Sequence, residues 1–196
     1  MLRSGVRHCR QLDAAEEAAI RAIDLLPEEG EQVRVCGSHR VLGEIYYFKG
    51  DTKKAIHHCE LALGIASTFS WHDLLFWLHS DLAGLFRKEY RFDDAHAHIE
   101  HAKSHMADNA FYLGLVTERK AEVLYWQHRL EEARSEALRA TDIYEKLGAA
   151  KNVGDCRYLL RGIEKELNIP VASGQSVFDC ELLKISLSPA CTYSSL

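Results

Sequence analysis

Leu42-Gly43-Glu44-Ile45-Tyr46, followed by Lys49-Gly50-Asp51-Thr52-Lys53-Lys54-Ala55, is the stretch whose reading decides the fold. Leu42, Gly43 and Tyr46 lie on one side of a helix. Gly50 suits a helix C-terminus, where a left-handed residue turns the chain. Asp51 or Thr52 suits the N-cap of the helix that follows. Ala55 and Ala62, seven residues apart, share one face of that second helix. Small side chains there let a neighbouring backbone come close. The stretch reads as helix, turn, helix.

The same pattern recurs along the chain. Leu12-Asp13-Ala14-Ala15, Phe92-Asp93-Asp94-Ala95 and Leu130-Glu131-Glu132-Ala133 each open a similar run. Ala15, Ala55, Ala95 and Ala133 are spaced 40, 40 and 38 residues apart, and Ala22, Ala62, Ala102 and Ala140 follow each of them by seven. The pattern predicts burial of Ala55, Ala62, Ala95, Ala102, Ala133 and Ala140 at helix contacts. Further helix-like segments precede the last three alanine helices, over about 31–48, 71–87 and 110–127. A repeated helix pair that cannot bury its own apolar face is the unit of a solenoid.

A small residue in the first helix, an alanine twelve positions later and another seven beyond that form the tetratricopeptide signature. Gly43 with Ala55 and Ala62 fits it, as do Ala83 with Ala95 and Ala102, and Ala121 with Ala133 and Ala140. The chain therefore resembles that family over about 8–168. Lys120 stands where the pattern has a core leucine, and Cys59 and Ala137 stand where an aromatic is common. The spacing exceeds the usual 34 residues, as in kinesin-light-chain-like variants. Leu25-Leu26-Pro27-Glu28-Glu29-Gly30 and Arg91-Phe92-Asp93-Asp94-Ala95 resemble the arrays of fungal proteins that lie carboxy-terminal to NB-ARC or NACHT domains. No G-x-x-x-x-G-K-[ST] phosphate loop occurs in the chain. The sequence opens inside a repeat, as a fragment or truncated descendant of a larger architecture would.

The resemblance implies an all-α fold, a tetratricopeptide-like right-handed superhelix of antiparallel helix pairs. The expected organisation is a helical repeat domain over 1–168, with a partial repeat at 8–30, repeats at 31–70, 71–110 and 111–148, and a capping helix at 149–168. In that last segment Val153, Cys156, Leu160, Ile163 and Leu167 form one apolar stripe, as a solenoid end requires. After Pro170 the composition shifts to Ser, Gly and Thr, and 169–196 is expected to be a mostly disordered tail.

Composition narrows the function. A formal net charge of -5 gives no basic footprint for nucleic acid. No run reaches the roughly 18 apolar residues of a membrane helix, and residues 1–10 form no secretory signal. The six cysteines make no C-x-x-C pair. A cytoplasmic protein with free thiols is the expectation. His96, His98, His101 and His105 crowd one helix, with His101 and His105 at i and i+4. Ala95, Ile99, Ala102 and Met106 form the buried stripe there, so the histidines fall on the wet face and no third ligand is evident. A His-rich metal-binding helical protein is thus a lesser alternative, as is a gene fragment with no retained partner. No nucleophile sits in a recognisable elbow or beside a base motif. Neither an enzyme nor a metal or other cofactor is expected.

What remains is a scaffold that binds a protein or peptide segment. First helices of such repeats line the concave groove, which by register places Arg40, Glu44, Tyr47, Trp77, Arg87, Glu118, Glu122 and Tyr125 in it. Aromatic and arginine side chains are hot-spot chemistry, and the three glutamates favour a partner carrying Lys or Arg. Where chaperone-tail-binding members have asparagines that clamp a carboxylate, Glu44 and Glu122 stand here, so that ligand does not transfer. The incomplete first repeat also suggests self-association through the amino-terminal edge.

Overall fold

The computed structural model describes residues 2–25 and 31–169, with side chains from Gln11 onward. Eight helices follow in order among the described residues: α1 (Leu2–Leu25), α2 (Gln32–Lys49), α3 (Thr52–Thr68), α4 (His72–Lys88), α5 (Phe92–His105), α6 (Ala110–Trp126), α7 (Leu130–Lys146) and α8 (Ala150–Glu166). Consecutive helices pack on one another. Beyond those neighbours, α4 also packs on α6 and α6 on α8. The first helices of the pairs therefore form an inner row, and α3, α5 and α7 form the outer one.

The small residues explain how closely the pairs approach. Ala55, Ala62, Ala95, Ala102, Ala133 and Ala140 are each 0% exposed. Ala83 and Ala121, the partners on the first helices, are equally buried. Gly43 holds the tightest place: a Cβ there would sit 2.6 Å from Cys59 Sγ and 3.3 Å from the Ala55 carbonyl. Cys59, which stands where an aromatic is common, is the side chain that packs on Gly43. Large side chains fill the space between pairs, with Phe76, Leu42, Leu82, Leu124 and Tyr144 fully buried.

α2, α3, α4, α6, α7 and α8 end alike. Gly50, Ser70, Tyr90, His128, Gly148 and Asn168 have positive φ, between 53° and 81°. The next N–H then donates back to the carbonyl five residues earlier, as in Asp51 to Tyr46, Arg91 to Phe86 and Arg129 to Leu124. This closure satisfies carbonyls that the helix end leaves free. Gly50 is the one end read from the sequence; four of the six are not glycine, and all four of those are exposed. Asp51 caps α3 by accepting from the Lys54 N–H.

Lys120 departs from the leucine row and is satisfied by an ion pair, 2.6 Å from Glu136 of α7. At the amino-terminal end, α1 docks on α2 through the Tyr46 hydroxyl, which donates to Glu16, and through Lys49, which pairs with Asp13 and Glu16. Ile20 and Leu25 remain exposed on that edge. At the other end Val153, Cys156, Leu160 and Ile163 are buried, and Leu167 is half-buried. The expectation for the tail falls, from residue 170 on, outside the described residues.

Candidate protein-binding groove

By register, each inner helix is expected to face the groove with residues three before its small residue, one after it and four after it. On α2 these are Arg40, Glu44 and Tyr47. Arg40 is half-buried; its Nε donates to Asp81 of α4 at 3.0 Å, and its guanidinium lies 5.8 Å from the Trp77 ring centre. Trp77 is half-buried edge-on to Phe76 and Tyr112. Glu44 is half-buried and makes no ion pair among the described residues. Burial, and then the Asp81 charge, raise its pKa, opposed by Arg40. Arg40, Gly43, Glu44, Cys59, Asp81 and Leu85 enclose a pocket of about 10 Å³, room for one water.

Further along, Glu122 of α6 accepts from Arg119 at 2.9 Å and lies 3.7 Å from Arg87 Nε. Arg87 also covers Trp126, 5.5 Å from its ring centre. Glu118 accepts from the Tyr144 hydroxyl at 2.8 Å. Burial, with Glu122 nearby, raises the Glu118 pKa to about 7. Tyr125 is half-buried, and its hydroxyl donates to Glu166 at 2.6 Å.

Three of the residues expected in the groove are instead inside the packing. Tyr47, Arg87 and Glu118 are 4%, 8% and 5% exposed. Tyr47 lies beneath Lys88, whose ammonium is 3.6 Å from its ring centre. Arg87 lies against Glu122 and Trp126 of α6, and Glu118 against Tyr144 of α7, so neighbouring helices cover both. Arg40, Glu44, Trp77, Glu122 and Tyr125 keep partial access. Sequence reasoning missed Asp81 and Arg119, which share one row two positions before the small residues Ala83 and Ala121. Charged residues in that row were the signal, since a polar side chain beside a buried small residue needs a partner.

The histidines also differ from expectation. His101 is exposed, but His98 is half-buried against Phe86 and against His79 of α4, which is 9% exposed. Among the described residues no group of three or more His, Cys, Asp or Glu is placed to hold a metal ion. Cys36, Cys59 and Cys156 are free and buried, and burial raises all three thiol pKa values, that of Cys36 to about 11. These thiols stay protonated and poorly nucleophilic at neutral pH. No described helix is long and apolar enough to cross a membrane.

No protein-family profile and no curated protein sequence matches the chain. The crystal structure of BtubC (BKLC) from P. vanneervenii is similar, with a TM-score of 0.59 at 18% identity over 91% of this chain and 83% of that one. A likeness at that identity speaks for the fold alone, and with the eight helices it shows an all-helical, tetratricopeptide-like repeat.

Proposed function

We propose that the inner face binds an extended protein segment bearing lysine or arginine, and that the chain is a scaffold and not an enzyme. The observation that carries this reading is Glu44. It is a half-buried carboxylate with no ion pair among the described residues, beside the Arg40–Trp77 stack. Glu122, by contrast, is already neutralised by Arg87 and Arg119. Asp155 of α8 is exposed and likewise forms no ion pair among the described residues; burial raises its pKa, opposed by Lys151 and Arg119. A cationic side chain entering at either end would supply the missing partner, and Trp77 and Tyr125 offer rigid apolar surface between them. The repeat fold supports a binding role, and the resemblance to fungal arrays supports one within a nucleotide-binding regulator.

The test is fluorescence anisotropy with labelled Lys/Arg-containing peptides selected from an array. Binding that falls at least tenfold in Glu44→Gln and Trp77→Ala, and weakens with salt, supports the reading. Equal affinity in both variants places recognition elsewhere. Co-purification with a separately expressed NB-ARC domain tests the wider architecture.

A further inference from the structure

The polar fill between the two helices of a pair is histidine in two repeats and not in the third. His39 on α2 and His79 on α4 each stand four residues before the small residue, and His58 and His98 each stand three after the first alanine. The pairs meet equivalently. Nδ1 of His39 lies 3.1 Å from Nδ1 of His58, and Nδ1 of His79 lies 2.9 Å from that of His98. In α6 and α7 the same positions hold Thr117 and Glu136. There Thr117 donates to the Leu113 carbonyl, and Glu136 pairs with Lys120.

The α4–α5 pair has four more imidazoles, three of which continue this cluster. The His79 ring lies 5.1 Å from that of His101 and 5.8 Å from that of His105, nearly parallel to the latter. His105 in turn places Nδ1 3.1 Å from Nδ1 of His72. Two Nδ1 atoms at 2.9 Å form a hydrogen bond only if one carries the proton and the other a lone pair. With both protonated, two N–H groups point at each other between two positive rings. Little nearby charge offsets this. The groups acting on His79 are His98, His101 and His105. Those acting on His98 are His101, Arg91 and Asp94, and Asp94 is itself held by Arg91 at 2.7 Å. Neither α3 nor α6 contributes a charged group acting on either ring. His96 meets the neutral Gln127 at the end of α6.

We propose that the histidine cluster between α4 and α5 is a proton-operated latch, which closes that helix pair when neutral and releases α5 from α4 when protonated. α4 also carries Trp77 and Asp81, so release disturbs the inner face next to the latch. Burial, then the neighbouring histidines, lower the pKa of His79 and of His98 from 6.5 to about 4. A histidine held neutral in the closed state binds its proton more readily when open. The stability it contributes is full above pH 6.5 and is lost as pH falls toward 4. For one such group, acidifying from pH 7.5 to 5 favours the open form roughly thirtyfold.

The test is hydrogen exchange of the full chain at pH 7.5 and pH 5, corrected for intrinsic rates, on wild type and His79→Gln/His98→Gln. Wild-type α5 peptides should lose protection by tenfold or more at pH 5 while α7 peptides change little, and the variant should lose the difference. Equal loss in α5 and α7, or an unchanged pH response in a folded variant, overturns the latch. Should the variant not fold, NMR titration of the wild-type imidazoles decides. His79 and His98 titrating below pH 5 supports the latch, and titration near 6.5 overturns it.

Discussion

The repeat built from α4 and α5 and the repeat built from α6 and α7 share one backbone plan and differ in how they satisfy the same polar positions. Both bury the alanine pair completely, Ala95 with Ala102 and Ala133 with Ala140. Both turn through a left-handed non-glycine residue, Tyr90 in one and His128 in the other. Between the helices, however, the first stacks imidazoles, while the second uses Lys120 with Glu136 and Tyr144 with Glu118. Small residues set the distance between helices, and the polar fill sets how the interface answers to protons. One can change without the other, because the histidines and their counterparts flank the alanine contact without forming it.

The largest expected effect tests the shared part. Ala95→Leu and Ala133→Leu should each cost about 1–3 kcal/mol, since both sites are fully packed. Urea melts of the two variants would check this; a near-neutral result at either site would mean that the alanine register does not govern both repeats.

Next comes the sign of the pH response. Glu118 has a raised pKa, about 7, so its folded form holds a proton that the unfolded form releases above pH 4.5. Its contribution is therefore full at low pH and is lost as pH rises through 7, the reverse of the histidine cluster. Glu118→Gln should flatten the decline of stability between pH 5 and 8, read as melting temperature against pH. A parallel curve in variant and wild type would remove the contrast between the repeats.

A smaller gain is expected at the turn. His128 is left-handed with its side chain largely exposed, so His128→Gly should stabilise by about 1 kcal/mol. Thermal melting that shows a loss instead would mean that its 3.9 Å approach to Glu166 matters more than backbone conformation. The smallest effect is at the partly exposed pair: Lys120→Ala should cost under about 1 kcal/mol. A double-mutant cycle with Glu136→Ala checks the coupling, and a value above about 2 kcal/mol would make this pair a main support of the repeat.

Helix pairing, turn positions and the buried alanines could be read in the sequence, because each depends on the chain's own periodicity or on a local conformation such as that of Gly50. The surroundings of the residues expected in a groove were legible only in part. Register along a helix gives direction around its axis, so Arg40, Glu44 and Trp77 were placed on the inner face. Register gives no information on how near the next repeat lies. The approach of α4 to α6 buries Arg87 against Glu122 and Trp126, Tyr144 of α7 covers Glu118, and Lys88 covers Tyr47.

The sequence by itself determined the helices, their pairing and the repeat, since these follow from apolar spacing and small residues a few positions apart. The tertiary structure decided which polar groups meet: Arg40 with Asp81, 41 residues apart, and His79 with His98, 19 apart. Their partnership depends on the angle and separation of whole helices. Those are set jointly by every side chain in the contact, and no local stretch of residues encodes them.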